Sequence, residues 1–234
     1  MNRLNLAAVS LGAALAFSVG SDARGQIPEG LTRIFNGKDL SGWHISRTTH
    51  HGATGSYTVK DGVLLMQQQP FGQGGLLLTD KVYKDFDLYL ELNPDAGFNS
   101  GIFLRSTESG SAYQIEVVAP GDATGDLIGE GIRFSQPKFL TEKIPVMSVW
   151  KTGEWNSMRI RMVGEAPRVT TWVNGTRLYE LQMPQNDQVA GVYGGMIGLQ
   201  LHWTAVYSPI AGSGTGTRPW QLQRYRNVAI KELD

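Results

Sequence analysis

Residues 85–117 read DFDLYLELNPDAGFNSGIFLRSTESGSAYQIEV. Three runs inside it, at 85–92, 99–105 and 111–117, alternate between apolar and polar residues and are separated by short turn sequences. A β-strand sends successive side chains to opposite faces, so a period of two predicts a strand with one aliphatic face and one polar face. We therefore expect three consecutive strands that lie next to one another.

The polar residues of these runs are predicted to share one surface. In the last run Gln114 and Glu116 point to one face and Ile115 points to the other. The expected result is a floor of carboxylate, amide and guanidinium groups above an aliphatic core. Such a floor suits binding of a polyhydroxylated ligand, or acid–base chemistry on one. Its members are Glu91, Asn99, Arg105, Gln114 and Glu116.

The rest of the chain continues the pattern of short strands and tight turns. KDG at 60–62 and NG at 174–175 are hairpin signals between apolar runs. The run 194–203 is a further strand, with Gln200 and His202 on one face. About a dozen short strands at regular spacing predict an all-β sandwich. We expect a jelly roll, a fold that exposes a concave sheet face.

Composition limits the classes of partner. The chain of 234 residues carries 21 basic and 21 acidic residues without a long basic run, which argues against a nucleic-acid partner or an anionic membrane surface. It contains no cysteine, which excludes disulfides, thiolate metal sites and a catalytic cysteine. Its length suits one all-β domain, which we assign to residues 26–234.

Residues 1–25 have the features of a secretory signal peptide. Arg3 supplies the positive start, an apolar run follows at 4–19, and Ser21 and Ala23 provide the small residues of a cleavage site. The alternative is an uncleaved membrane anchor, but the apolar run is short of the roughly 20 residues that span a bilayer. The sequence thus predicts a periplasmic or secreted protein that has no membrane contact after the signal is removed.

Two loops contain residues that bind metals in other proteins. His50 and His51 are adjacent, but adjacent residues on an extended chain point to opposite faces, which favours a solvated loop over a metal site. The glycine-rich segment 120–130 contains three acidic residues whose spacing matches no calcium loop, so a surface turn is favoured over a functional loop.

Several segments, in a fixed order, resemble one known family. They include IFNGKDLSGW at 34–43, NSGIFLR at 99–105 and YRNVAIKEL at 225–233. The chain resembles the 3-keto-disaccharide hydrolase family (domain of unknown function 1080), which includes 3-keto-glucoside 1,2-lyases and 3-keto-2-hydroxy-glucal hydratases. The resemblance implies a concanavalin A-like jelly roll and activity on glycosides oxidised to a ketone at C3. One departure is YQIEVVA at 113–119, where the family has Y-E-x-Q-x-x-D, so Glu and Gln are exchanged on the same face.

The implied reaction needs a general base, a stabiliser for an enolate and an acid for the leaving oxygen. Glu116 or Glu91 is the candidate base, and Arg105 is the candidate stabiliser of the enolate oxygen. His202 is the candidate acid. Alternatively, His202 is a metal ligand beside a carboxylate, because a divalent ion would polarise the ketone and the enolate. The candidate substrate-binding residues are Asn99, Gln114 and Gln200.

Simpler roles exist for the same residues. Glu91 and Arg105 are also explained by an ion pair across strands, and His202 by a hydrogen-bonded histidine in the core. The leading hypothesis is a secreted enzyme that cleaves 3-keto-glycosides by elimination and hydration. The alternative is a non-catalytic glycan-binding module, because a fold alone does not determine chemistry. In either case the expected partner is a small carbohydrate.

Overall fold

The computed structural model describes residues 26–135, 143–204, 218 and 220–233. The proposed signal peptide and the glycine-rich stretch 211–217 lie outside these residues. Two short 3₁₀ helices span Val146–Ser148 and Val189–Gly191. The strands are β1 (Thr32–Arg33), β2 (Trp43–Ile45), β3 (Ser56–Lys60), β4 (Val63–Gln67), β5 (Gly75–Tyr83), β6 (Phe86–Leu92), β7 (Phe98–Ser106), β8 (Ala112–Ala119), β9 (Leu127–Glu130), β10 (Asn156–Val163), β11 (Arg168–Val173), β12 (Thr176–Gln182), β13 (Gly195–Leu201) and β14 (Gln223–Glu232).

These strands form two antiparallel sheets, which confirms the predicted all-β jelly roll. The first sheet has the order β12-β11-β10-β6-β14-β4-β3, with β1 added to β14, and the second has the order β2-β5-β13-β7-β8-β9. Both predicted hairpins are present, joining β3 to β4 and β11 to β12. Asp61 and Asn174 have φ of 51° and 49°, and the glycine after each is also at positive φ, as tight hairpin turns require.

The core lies between the two sheets. Leu88, Leu90 and Leu92 project inward from the first sheet, and Ile115 and Val117 project inward from the second. All five are fully buried in one continuous hydrophobic cluster. The alternation that predicted the strands therefore also predicted their inward faces.

The structure corrects the predicted neighbourhood of the three central strands. β7 and β8 pair with each other in the second sheet, whereas β6 pairs with β10 and β14 in the first. The segment 93–97 carries the chain from one sheet to the other. The outward face of β6 therefore lies on the opposite side of the sandwich from the outward faces of β7 and β8.

Candidate functional site

The candidate site lies on the outer face of the second sheet, over its central strands. Glu116 on β8 and Gln200 on β13 are both register partners of Gly101 on β7, so these three residues form a line across the sheet. Because Gly101 has no side chain, the side chain of Gln114 occupies the space above it. A Cβ atom at this position would lie 2.2 Å from Nε2 of Gln114.

A chain of hydrogen bonds connects four side chains, which we call the polar row. Gln114 Nε2 donates to Glu116 Oε2 at 3.1 Å and reaches Gln200 Oε1 at 3.4 Å. Gln200 Nε2 lies 3.1 Å from His51 Nε2. An amide NH₂ group only donates, so His51 Nε2 accepts and the proton of the neutral imidazole resides on Nδ1. The polar row thus consists of Glu116, Gln114, Gln200 and His51.

Two buried polar atoms of the row have no hydrogen-bond partner among the described residues. They are Nδ1 of His51, a donor, and Oε1 of Gln114, an acceptor. An unsatisfied buried polar group costs about 1–3 kcal/mol, so such atoms in a folded protein require an explanation. A bound hydroxyl group both donates and accepts, and a ligand with several hydroxyls would satisfy the two atoms together.

Three of the four histidines of the chain gather at the end of the polar row that is formed by His51. The ring centroids of His50 and His51 are 4.0 Å apart, and those of His51 and His202 are 5.5 Å apart. His51 is only 2% exposed, and its ring is perpendicular to that of Phe103, with the centroids 6.0 Å apart. The prediction of a solvated loop is therefore wrong for His51. The alternation rule applies to extended chain, whereas the backbone turns at residues 50 and 51.

His202, immediately after β13, is held in one tautomer. Its Nδ1 lies 2.6 Å from the carbonyl oxygen of Trp203, and a carbonyl only accepts, so Nδ1 donates and Nε2 carries the lone pair. Burial lowers the pKa of His202, although the hydrogen bond to Trp203 opposes this shift. Burial, followed by the charges of nearby His50 and His202, lowers the pKa of His51 to about 3. Both imidazoles are therefore neutral at pH 7, which suits His202 to the role of a base better than to that of an acid.

Glu130, at the end of the edge strand β9, lies beside the histidines. Its Oε1 is 3.2 Å from Nε2 of His50, and burial raises its pKa. One ligand atom from each of His50, His51 and Glu130 lies within 4.8 Å of the others. Sequence reasoning favoured a surface turn here. Of the other acidic residues in this segment, Asp122 is exposed and Asp126 pairs with Lys143.

The structure places Glu91 away from this site. On β6 of the first sheet, Glu91 accepts hydrogen bonds from Arg226 at 2.6 Å, Asn227 at 3.1 Å and Tyr89 at 2.9 Å. The guanidinium of Arg226 also lies 4.1 Å from the ring centroid of Trp155. Glu91 therefore belongs to a buried ion-pair network on the other side of the sandwich, and its predicted place in the polar floor is wrong.

Arg105 is also absent from the polar floor. It adopts φ of 54°, next to an irregularity in the pairing of β7 with β13, so its side chain leaves the alternation of the strand. Its Nε donates to the Lys84 carbonyl at 2.7 Å and its Nη2 to Asp85 at 2.9 Å, under the ring of Tyr193. Arg105 thus ties β7 to the β5–β6 turn, and the alternative of an ion pair with Glu91 is wrong as well.

The structure brings together the remaining predicted residues. Gln114, Glu116 and Gln200 belong to the polar row, and His202 lies beside it. Asn99 is two residues from Gly101 on β7, so it shares the same outer face. What sequence reasoning missed is the contribution of His50, His51 and Glu130, which come from a loop and an edge strand.

A second concave surface lies on the outer face of the first sheet, with a volume of about 500 Å³. Several of its polar side chains already pair with one another, including Thr170 with Glu180 and Arg168 with Gln182. None of the side chains lining it is among the buried unpartnered polar groups of the described residues. For this reason we place the candidate site on the second sheet instead.

The fold and the placement of the site define a concanavalin A-like jelly roll with a polar outer face on one sheet. The chain belongs to the family of 3-keto-alpha-glucoside-1,2-lyase-like domains, whose sequence profile matches residues 30–231. No curated protein matches the sequence. Among the described residues, no helix is long and apolar enough to cross a membrane.

Solved structures with the same fold include three that illustrate its range. A candidate glycosyl hydrolase from Parabacteroides distasonis ATCC 8503 is 21% identical, with a TM-score of 0.56 over 88% of this chain and 95% of that one. The beta-glucanase of Bacillus licheniformis is 13% identical, with a TM-score of 0.55 over 88% and 99%. The carbohydrate-binding module CBM66 of Bacillus subtilis is 12% identical, with a TM-score of 0.51 over 82% and 96%. At these identities the likeness concerns the fold alone.

Proposed function

We propose that the protein is a carbohydrate-active enzyme that cleaves 3-keto-glycosides by β-elimination and then hydrates the product, so that the net reaction is hydrolysis. Membership of the 3-keto-alpha-glucoside-1,2-lyase-like family supports the substrate class. The observation that carries the proposal is the neutral, partly buried His202 beside a row with an unpartnered donor and an unpartnered acceptor. This combination matches a reaction that moves one proton and develops charge on one oxygen.

The first step requires a base at C2 of the sugar. The C3 ketone acidifies the C2 proton, and Nε2 of His202 has the lone pair to accept it. The electron pair of the C–H bond forms an enolate, which then expels the C1 oxygen and leaves a C1=C2 double bond. The leaving oxygen takes up the proton, so the imidazole returns to its neutral form.

The developing enolate needs a hydrogen-bond donor, and within the polar row Nδ1–H of His51 is a buried donor that has no partner among the described residues. A neutral imidazole can stabilise an oxyanion in this way, because the folded protein already holds the donor in a fixed orientation. Gln200 keeps the His51 proton on Nδ1 through its contact with Nε2. Gln114 and Gln200 are the proposed contacts for the substrate hydroxyls.

Hydration repeats the elimination in reverse, with water in the place of the departed alcohol. Glu116 or His202 takes a proton from water, the oxygen adds to C1, and C2 receives a proton. Glu116 is held in the row by the amide of Gln114, which donates to its carboxylate. Since the same groups serve both directions, no covalent intermediate with the protein is required.

The test is release of a chromogenic alcohol from a 3-keto-glucoside by the purified protein. We expect release by the wild type and a loss of about 100- to 10,000-fold in His202→Ala, the range associated with general acid–base catalysis. His44→Ala is the matched control. His44 pairs with Asp80 and Glu108, and it lies outside the polar row and apart from the other histidines of the site. Equal rates in the His202 and His44 variants would reject His202 as the base.

A glycan-binding module without catalysis is the second candidate function. The exchanged Gln114 and Glu116 favour it, because the family pattern places the carboxylate at the other position. A protein of this kind would bind the sugar through the polar row without cleaving it. Calorimetric binding of glycans together with no alcohol release from several 3-keto-glucosides would favour the module over the enzyme.

We also propose that the protein is exported, with residues 1–25 removed as a signal peptide. The support is the positively charged start, the apolar run and the small residues that follow it. Mass spectrometry of the protein recovered from the periplasm or medium should give a mature N-terminus near residue 26. Recovery of the full-length chain from the cytoplasm alone would reject this proposal.

A further inference from the structure

We propose that His50, His51 and Glu130 bind one divalent transition-metal ion at the edge of the polar row. One ligand atom from each of the three side chains lies within 4.8 Å of the other two. His50 Nε2 and Glu130 Oε1 are 3.2 Å apart, and the two imidazole centroids are 4.0 Å apart. Ligands at about 2.1 Å from an ion lie roughly 3–4 Å from one another, so small side-chain rotations would close the site.

An independent observation also indicates a ligand at this place. His51 is buried, and its Nδ1 has no hydrogen-bond partner within the described ranges. Coordination through Nδ1 would satisfy this atom and move the ring proton to Nε2. Gln200, 3.1 Å from Nε2, could accept that proton after its side-chain amide rotates, which is the outer-shell contact that metal-binding histidines commonly make.

The donor set indicates the class of ion. Two imidazoles and one carboxylate suit Zn²⁺, Co²⁺ or Mn²⁺, whereas Ca²⁺ and Mg²⁺ prefer sites made of oxygen atoms. Three protein ligands leave coordination positions open for water or a ligand oxygen. If the proposed function is correct, on which this role rests, the ion would polarise the ketone and stabilise the enolate oxygen in place of the Nδ1–H of His51.

The chain also provides a histidine–carboxylate group that should not bind an ion in this way. His44 Nδ1 lies 2.7 Å from Asp80 and its Nε2 lies 2.9 Å from Glu108. The two ring nitrogens point away from each other, so the carboxylates lie on opposite sides of the imidazole. His44 is therefore a matched control for a histidine that contacts acidic residues without forming a three-ligand site.

The experiment measures ion binding directly and needs no substrate. Full-length protein treated with EDTA and then freed of chelator is titrated with Zn²⁺ in a calorimeter, and with Co²⁺ while the visible spectrum is recorded. We expect one ion per chain and a Co²⁺ absorption band. His50→Ala and Glu130→Gln should each weaken Zn²⁺ binding at least tenfold, whereas His44→Ala should bind like the wild type. His50 is exposed, so its removal should leave the metal-free melting temperature unchanged.

The outcomes separate the ion site from the enzyme proposal. No stoichiometric binding, or equal binding by wild type, His50→Ala and Glu130→Gln, would overturn the ion site. Alcohol release from 3-keto-glucosides is measured on the same samples with and without Zn²⁺. Binding without any release would keep the site and reject the proposed function. Release that is unchanged by removing a bound ion would reject the role of the ion in the reaction.

Discussion

The protonation of one residue, His202, sets the pH range in which the proposed enzyme works. Its neutral form is the base, and burial places its pKa below the ordinary 6.5. As the pH falls, activity should persist until that lowered pKa is reached, so the acid limb of kcat/KM should lie below pH 6.5. A pH profile from 4.5 to 9 measures this limb. A limb centred above pH 7 would contradict a neutral base with a lowered pKa.

Gly101 is the residue that makes room for the polar row. In Gly101→Ala the added methyl would meet the Gln114 side chain, with Cβ 2.2 Å from Nε2, and displace it from Glu116 and Gln200. We expect kcat/KM to fall about tenfold or more, since small displacements of positioning groups have large effects on rate. In a Gln114→Ala background the same change should have little further effect. Additive losses would show that Gly101 acts by another route.

At the scale of elements, the network around Glu91 fastens β6 to β14. Glu91 is 4% exposed and bonds to Arg226 and Asn227, so Glu91→Ala leaves a largely buried guanidinium without its carboxylate. We expect a loss of about 2–4 kcal/mol in the free energy of unfolding. Denaturant titration measures this loss. Below the melting temperature kcat/KM should stay at the wild-type value. A loss of activity without any loss of stability would instead support a catalytic role for Glu91.

His44 links β2 to β5 and to the β7–β8 turn in a way that depends on pH. Burial lowers its pKa, but hydrogen bonds to Glu108 and Asp80 outweigh burial and raise it above 6.5. A raised folded-state pKa contributes stability that is fully present below pH 6.5 and is lost as the pH rises through the raised value. Because the side chain is 38% exposed, the contribution is at most about 1 kcal/mol.

The measurement for His44 is the melting temperature of His44→Ala against wild type at pH 5.5 and pH 9. We expect the variant to melt about 1–4 °C lower at pH 5.5, with a smaller difference at pH 9. An equal difference at both pH values would mean that packing, and not the charge of the imidazolium, is responsible for the effect.

For the whole molecule, the alternation of apolar and polar residues predicts where the strands lie and which face of each strand points inward. The strands β6, β7 and β8 are examples. Alternation carries no information about which strands are neighbours, because any strand with one aliphatic face can cover the core from either side. Gln114 and Glu116 lie on one strand, so alternation assigned them to one face correctly. Glu91 lies on a different strand, and it was assigned to the wrong side of the sandwich.

Local breaks in regular structure account for the other differences between sequence and structure. Arg105 leaves the period of two because its φ is positive beside an irregular pairing. His51 becomes buried because its loop turns back over the sheet to reach Gln200 and Phe103. Both features depend on contacts with residues distant in sequence, and local sequence patterns do not predict such contacts.

The two outer faces of the sandwich differ in character. On the first sheet, Glu91 and Asp87 are paired with Arg226 and Arg159, so their charges are compensated within the protein. On the second sheet, His51 and Gln114 retain buried polar atoms without partners in the described structure. This difference is the reason for assigning chemistry to the second sheet and stability to the first.

Isotope incorporation at C2 distinguishes elimination and hydration from direct displacement at C1. A 3-keto-glucoside is cleaved by the protein in D₂O, and the 3-keto-glucose product is examined by NMR, beside a sample of the product incubated without protein. Elimination and hydration break and remake the C2–H bond, so we expect deuterium at C2 above the background exchange. Enzymatic release of a product that retains hydrogen at C2 would indicate direct displacement at C1 and would reject the elimination mechanism.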